Sequence, residues 1–243
     1  MKKRLLIVCC ALCSLMACNS KTDTGTTLSG LKKADFDTTV SGKKVALYEL
    51  KNKNGVEVAI TNYGGRIVSI WVPDRNGKFG DIMLAHSSIA DYIADQGGNF
   101  GALIGRYGNR IKDAAFEING QTFSLDKNDN GNCLHSGSAG FDKRIWDVEQ
   151  PDDEHLILRL TDQDGEGGFP GTLDVTVRYS IEQNVFRVIH EATCDKATHV
   201  NLTQHPYFNL KPDDENIGNH ELHLYSQRYL ETTPDLIPTG NIL

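Results

Sequence analysis

Basic residues are few relative to acidic residues in this 243-residue chain. There are 25 lysines and arginines against 32 aspartates and glutamates, so the formal net charge at pH 7 is -7. Proteins that bind nucleic acids usually carry a basic stripe that neutralises phosphates, and this sequence has none. The charge balance argues against a nucleic-acid partner, and it suits a neutral small substrate better than an anionic polymer.

Apolar runs long enough to span a bilayer comfortably are absent from the sequence. The strongest run, residues 5–17, has the length of a signal peptide and follows three basic residues at positions 2–4. It closes with "LMAC", which resembles the lipobox of bacterial lipoproteins, where the cysteine is lipid-modified and becomes the mature N-terminus. We therefore expect a signal peptide at residues 1–17 and lipid on Cys18. This predicts export to the bacterial cell envelope (periplasm or outer membrane), with the lipid as the only membrane attachment. An ordinary secretory signal cut nearby is the alternative.

Cysteine is scarce beyond this leader. Three of the six cysteines lie within the leader, Cys18 follows it, and only Cys133 and Cys194 occur in the rest of the chain. Two cysteines do not make a disulfide framework. We expect two unpaired, mostly buried thiols.

Motifs for common cofactors and metals are also missing. The sequence contains no GxSxG, P-loop, GxGxxG or HExxH pattern. The stretch "HELH", His220 to His223, looks like a metal motif, but residues three apart on a strand face opposite sides of a sheet. The two histidines would then not converge on one ion, so we do not predict a metal site at this stretch.

Most of the chain has the pattern of strands and turns. Residues 18–35 are polar and rich in Ser, Thr and Gly, which predicts a flexible tether, and residues 36–243 form the predicted domain. Within it, apolar and polar residues alternate in short segments that are separated by turns such as Asn119-Gly120. Only residues 87–95 favour helical turns. The pattern predicts an all-β, antiparallel sandwich or barrel.

Three segments hold more function-capable side chains than a structural role requires. They are "GRYGNRI" at residues 105–111, "NCLHSGSAGFDK" at residues 132–143 and "NLTQHPYFNL" at residues 201–210. Taken singly, the first could be a solvated basic loop and the second a turn histidine. His205 in the third could be a core histidine, a metal ligand or an acid–base group. Directional hydrogen-bonding groups beside flat aromatic faces are, however, the combination that a sugar needs.

Together these segments resemble the aldose 1-epimerases, also called galactose mutarotases. "GRYGNRI", "LHSGSAGFDKRIW", "DGEGGFPGTLDVTVRYSI", "NLTQHPYFNL" and "PDLIPTG" are similar to five motifs of that family. They occur in family order over about residues 40 to 243. The resemblance implies that residues 36–243 form part of an antiparallel β-supersandwich of the galactose mutarotase type, incomplete at its C-terminus.

The resemblance also implies a reaction and its residues. Aldose 1-epimerases interconvert the α and β anomers of free aldohexoses by acid–base ring opening, without a metal or cofactor. By position in the motifs, His205 matches the general acid toward the ring oxygen. His135 matches a second histidine that hydrogen-bonds the sugar near that oxygen, and Asn109 and Arg110 match the substrate-binding pair. The implied partner is a small aldose sugar.

The chain departs from the family pattern in three places. Ser136 replaces a usual glycine, and Pro206 stands where Ser or Thr is common. The family's glutamate base and a sugar-binding aspartate lie beyond the "LIPTG" turn, and no segment here resembles them; neither Asp142 nor Glu166 is promoted to that role. We therefore expect exposed strand edges and weak or no activity from this chain. The alternatives are a non-catalytic carbohydrate-binding protein and a related epimerase for a different sugar. Sugar preference and oligomeric state stay open.

Overall fold

The computed structural model describes residues 25–95, 97–213 and 216–243. The predicted signal peptide at residues 1–17 and the predicted lipidation site Cys18 lie outside the described residues. Within these ranges the chain is built from eighteen β-strands, one α-helix and five 3-10 turns.

The strands are short and follow one another with few helical interruptions. They are β1 (Thr38–Val40), β2 (Lys43–Val45), β3 (Leu47–Lys51), β4 (Glu57–Thr61), β5 (Arg66–Pro73), β6 (Phe79–Asp81), β7 (Ala102–Ile104), β8 (Arg110–Ile111), β9 (Ala115–Ile118), β10 (Gln121–Ser124), β11 (Cys133–Leu134), β12 (Asp147–Asp152), β13 (His155–Asp162), β14 (Leu173–Glu182), β15 (Val185–Cys194), β16 (Thr203–His205), β17 (Leu230–Thr232) and β18 (Pro238–Ile242). The helix is α1 (Ile89–Ala94), and the 3-10 turns are Lys33–Phe36, Lys112–Ala114, Gly137–Ala139, Phe141–Lys143 and Glu166–Gly168.

Two four-stranded antiparallel sheets form the centre of the fold. One has the order β3-β4-β5-β6 and the other β12-β13-β14-β15. Their apolar faces share one core, which includes Val58 and Ile60 from the first sheet and Leu158 and Val177 from the second. The predicted all-β antiparallel sandwich is confirmed.

The alternation in the sequence explains how β14 joins this core. Every second residue of the strand is buried, beginning with Leu173 and ending with Ile181, and the residues between are less buried. Successive side chains of a strand point to opposite faces, so a period of two places one row in the core. Strand β4, in the other sheet, differs because all five of its residues are buried. Its Ala59 contacts a second cluster that contains Phe36 and Tyr92.

Residues 25–35 are folded against the domain rather than extended as a tether. Thr27 is buried, and the Leu28 N–H donates to the Glu57 carboxylate at 2.6 Å. Leu31 packs against the cluster around Phe36. The polar composition therefore misled the prediction for residues 25–35, because a buried acceptor on β4 and the apolar side chain of Leu31 hold this segment.

The prediction for the helix and the expectation for the C-terminal region had different outcomes. The predicted helical turns at residues 87–95 contain α1, whose N-terminus is capped by the Ser88 hydroxyl accepting the Asp91 N–H. No helix in the described ranges is long and apolar enough to cross a membrane. His220 and His223 do not lie on a strand, although the prediction against a metal site assumed one; within residues 219–233 only β17 forms. Leu222 and Tyr225 in this region are 84% and 95% exposed.

Candidate active site

Two small strand pairs bring the histidine segments together. In the first, β16 pairs with β7 so that His205 lies opposite Ala102, and the His205 carbonyl accepts the Gly101 N–H at 2.9 Å. In the second, β11 pairs with β8 so that Leu134 lies opposite Arg110. His205, the last residue of β16, and His135, the residue after β11, are thus each held by a paired strand.

Asn201 ties the third segment to the first. Its N–H donates to the Arg106 carbonyl at 3.0 Å, and its carbonyl accepts the Gly108 N–H at 2.7 Å. Its side-chain amide donates to the Gly108 carbonyl at 2.9 Å. These contacts form a parallel bridge between Asn201 and Tyr107. The motifs "GRYGNRI" and "NLTQHPYFNL" are therefore neighbours in space.

The two predicted site histidines meet at one cleft. Their ring centroids are 5.6 Å apart and the rings are edge to face at 87°. The cleft has a volume of about 520 Å³ and is lined by Gly108, Asn109, His135 and residues 201–206. That volume falls in the usual range for small-molecule sites, about 300–1,000 Å³.

Asn109 orients the His135 ring. The Asn109 N–H donates to His135 Nδ1 at 2.9 Å, and the His135 N–H donates back to the Asn109 carbonyl at 3.2 Å. Both residues have left-handed backbone, with φ of 71° and 53°. Because Nδ1 is the acceptor, the neutral ring carries its hydrogen on Nε2.

His135 is a neutral hydrogen-bond donor at pH 7. Burial, then the neighbouring His205 and the Arg110 charge, lower the pKa of His135 to about 4. Burial penalises the charged form of an imidazole, and nearby positive groups do the same. The Nε2–H of His135 is therefore available to an acceptor over the physiological pH range.

Arg110 is placed beside the cleft rather than among the residues that line it. Its Nε donates to Asp129 Oδ2 at 2.6 Å, and its N–H donates to Asn109 Oδ1 at 2.9 Å. Both side chains of the ion pair are about four-fifths buried, with 19% and 21% exposure. The sequence prediction missed Asp129, although an acidic Asp-Asn-Gly turn just before the His135 motif is a candidate partner for an arginine.

Aromatic rings support His205 on its other side. The Tyr207 ring lies 5.0 Å from the His205 ring at 30°, and Phe100 lies 5.0 Å from Tyr207. The neighbouring Gln204 is anchored by the buried Tyr179, whose hydroxyl donates to its Oε1 at 3.1 Å. This anchor fixes β16 next to His205, which lines the cleft.

Arg106 is not a ligand-binding side chain, although it shares the glycine-rich motif with Arg110. It is 1% exposed, and its guanidinium lies 2.8 Å from the Asp162 carboxylate. It also donates to the Pro170 carbonyl at 2.8 Å. Arg106 therefore fixes the "DGEGGFPG" loop against the site loops.

The carboxylates of the retained motifs lie away from the cleft. Asp142 is buried 3.8 Å from Arg66 Nη2, and burial raises its pKa. It faces a separate 250 Å³ cavity on another side of His135. Glu166 lies 3.6 Å from Arg144 Nη1. Of the residues described, no carboxylate lines the 520 Å³ cleft.

The remaining candidates do not form a second reactive centre. His220 Nε2 accepts the Leu210 N–H at 2.9 Å, whereas the His223 ring lies against Tyr225 at 4.5 Å. Cys133 and Cys194 are unpaired, with Cys133 buried and Cys194 partly buried. A larger cavity of about 700 Å³ borders Phe79, Pro212 and His220, but neither His135 nor His205 lines it.

Comparison with known proteins identifies relatives of this chain. The family model described as aldose 1-epimerase matches residues 46–243. The aldose 1-epimerase of Escherichia coli K12 is 35% identical over 198 residues, which are 81% of this chain and 57% of that protein. The human galactose mutarotase is 37% identical over 188 residues, covering 77% of this chain and 54% of that protein. The chain thus spans little more than half the length of these relatives.

Solved structures agree with the sequence relatives. The aldose epimerase homologue from C. elegans has a TM-score of 0.77 at 28% identity, over 82% of this chain and 61% of that one. The galactose 1-epimerase from Lactobacillus acidophilus has a TM-score of 0.74 at 27% identity, over 85% and 60% of the two chains. The resemblance in the motifs is thereby confirmed over most of the domain: the chain belongs to the aldose 1-epimerase family.

Proposed function

We propose that the cleft between His135 and His205 binds a free aldohexose such as galactose or glucose. The whole protein would be an aldose 1-epimerase that interconverts the α and β anomers. The observation that carries this proposal is the edge-to-face histidine pair, 5.6 Å between centroids, at one polar cleft. The names of the matched relatives, aldose 1-epimerase and galactose mutarotase, support the same reaction class.

The two histidines have different chemical roles in this proposal. Anomer interconversion requires an acid that protonates the ring oxygen and a base that takes the proton from the C1 hydroxyl. His205 is the acid, since histidine is the residue most often used for proton transfer near neutral pH. His135 cannot share that role, because its pKa of about 4 keeps it neutral. It instead donates its Nε2–H to the sugar near the ring oxygen.

The base is the component that the described cleft lacks. Because no carboxylate lines it in the ranges described, the site has an acid without a partner that takes the C1 proton. A positioned acid or base contributes about 100- to 10,000-fold to rate, so we expect weak or no mutarotation from these residues alone. The same observation favours a second candidate, a carbohydrate-binding protein that does not catalyse.

Polarimetry and calorimetry on the purified 243-residue chain distinguish an epimerase from a carbohydrate-binding protein that does not catalyse. Polarimetry follows the optical rotation of fresh α-D-galactose and α-D-glucose in the presence of wild type or His205→Ala. Calorimetry measures the binding of both sugars to the same proteins. Sugar binding with little mutarotation is the expected result. Binding of either sugar without any acceleration over buffer, even in a form extended to the relatives' length, would favour the binding protein. Neither binding nor acceleration in that longer form would contradict both readings.

Substrate profiling addresses the related-epimerase alternative. The residue types in the cleft do not determine which hydroxyls are read, so other free aldoses belong in the same titrations. Preferential binding of a sugar other than galactose or glucose would move the proposal to that substrate.

We also propose that the protein is exported to the bacterial cell envelope and held there by lipid on Cys18. The support is the basic, apolar and "LMAC" pattern of residues 2–18. Two acyl chains are enough for stable membrane attachment without a spanning helix.

A further inference from the structure

Ser136 makes a contact that a glycine could not make. Its hydroxyl accepts the Tyr107 N–H at 2.8 Å and donates to the Tyr107 carbonyl at 3.3 Å. The side chain is buried, with 2% of the residue exposed. Its φ of 65° is left-handed, a conformation that usually favours glycine. The backbone thus retains the shape suited to the glycine common in this family, while the side chain adds a bond.

The bridge to Asn201 explains why Tyr107 needs this partner. Asn201 bonds to the Arg106 carbonyl and the Gly108 N–H, the groups on either side of Tyr107. In a parallel bridge the middle residue directs its own N–H and carbonyl to the opposite side. On that side the Ser136 hydroxyl satisfies both groups, so no water or further backbone is required there.

The two loops are consequently joined at adjacent points. Tyr107 bonds to Ser136, and two residues along, Asn109 bonds to His135. The second bond is the one that occupies His135 Nδ1. A shift of Ser136 relative to Tyr107 would therefore move the preceding peptide and change the geometry between Nδ1 and the Asn109 N–H.

We propose that Ser136 is a positioning residue for His135. Through the Tyr107 backbone its hydroxyl holds the His135 loop in register with Asn109, and so maintains the tautomer that carries its hydrogen on Nε2. The role of that Nε2–H toward a sugar rests on the proposed function, whereas the tautomer itself is a property of the unliganded protein.

The test compares two variants that lack the hydroxyl with one matched control. Ser136→Gly keeps the left-handed backbone free of strain, and Ser136→Ala keeps the Cβ. The control is Ser138→Ala, which removes a hydroxyl bonded to Asp126 in the same loop while the Ser138 N–H still donates to Asp126 at 2.9 Å. Nitrogen-15 spectra of the His135 ring report which nitrogen carries the hydrogen, and calorimetry reports D-galactose affinity.

Wild type and Ser138→Ala should show His135 with hydrogen on Nε2 alone. Both Ser136 variants should show a mixture of tautomers, with the His135 pKa moved up toward that of a free histidine. Where the sugar binds, its affinity should fall about 3- to 10-fold in both, the effect of losing one ordinary hydrogen bond.

Three results would overturn the inference. One is an unchanged tautomer in both Ser136 variants. Another is a change in Ser136→Gly alone, which would assign the effect to backbone freedom rather than to the hydroxyl. The third is an equal change in Ser138→Ala. If wild type binds no sugar, the proposed function fails, but the tautomer comparison still decides the role of Ser136.

Discussion

The His135 ring stands edge to face against the His205 ring, with 5.6 Å between their centroids. The two are not equivalent, because the Asn109 N–H occupies His135 Nδ1 at 2.9 Å. His135 is thereby committed to donating from Nε2, and its low pKa keeps it uncharged. A neutral imidazole that carries its hydrogen on Nε2 can donate a hydrogen bond to a ligand oxygen.

The stability of the fold should depend on pH through His135. Its folded-state pKa of about 4 lies below the value of about 6.5 for an unfolded histidine. The unfolded chain therefore takes up the proton first as pH falls, so stability is fully present above pH 6.5 and decreases toward pH 4. For a partly exposed ring we expect a loss of about 1–2 kcal/mol between pH 7 and 4.5.

Urea denaturation of wild type and His135→Gln at the two pH values measures this effect. Glutamine has no proton to take up, so the variant should lose less stability on acidification than wild type. Equal losses in both proteins would show that other groups account for the pH dependence.

The buried Arg106–Asp162 pair should be essential for stability. Asp162 accepts from Arg106 and from Arg144, at 2.8 Å and 3.1 Å, yet burial outweighs both arginines and raises the pKa of Asp162. Asp162→Asn leaves the Arg106 charge buried without its counter-ion, which typically costs about 3–5 kcal/mol. Denaturant unfolding at pH 7 should show this loss.

Glu191→Gln is the matched control for that change. Glu191 pairs with Arg178 at 2.8 Å, but both side chains are about half exposed, at 55% and 46%. Exposed pairs contribute about 0–1 kcal/mol, so this variant should unfold almost as wild type does. A similar cost for the two variants would argue against a special role of the buried pair.

Tyr207 should matter for ligand binding through its ring rather than its hydroxyl. The ring stacks on His205 and contacts Phe100. Aromatic pairs are worth about 0.5–1.5 kcal/mol beyond area burial, so Tyr207→Ala should weaken galactose binding by about 2- to 12-fold. Tyr207→Phe keeps the ring and should bind as wild type does. Calorimetric titration of galactose into both variants tests this prediction. An equal loss of galactose affinity in Tyr207→Phe would assign the effect to the hydroxyl.

Lipid attachment should require Cys18. Cells that express the full chain and are fed labelled palmitate should give a labelled, membrane-associated protein, and Cys18→Ser should give neither label nor membrane association. An unlabelled wild-type protein that is nevertheless exported would point instead to an ordinary secretory signal.

Local patterns sufficed for the strands that carry the core. The period-two alternation in β14 predicted its buried row, because the sandwich covers one face of that strand evenly. The Asn119-Gly120 turn likewise predicted the hairpin of β9 and β10, where Ile118 and Gln121 are paired. These features depend on residues that are near one another in the chain.

Contacts between distant segments could not be predicted from those patterns. The two arginines in "GRYGNRI" look alike in sequence. Arg106, however, is buried and donates to Asp162, 56 residues along the chain. The folding of residues 25–35 depends on Glu57 in the same way. Ser136 was recognised as a departure from the family pattern, but its function depends on Tyr107, whose backbone groups are directed toward it by Asn201. In each case a tertiary partner overrides what local composition indicates.

Titration of D-galactose into the 243-residue chain, followed in the nitrogen-15 spectra of the histidine side chains, tests the central claim most directly. Resonances of His135 and His205 should shift together and saturate with one dissociation constant. His155, whose half-exposed ring pairs with Asp152 away from the cleft, should stay unchanged. Unchanged His135 and His205 resonances at saturating sugar, or shifts of equal size at His155, would contradict the assignment of this cleft as the aldose site.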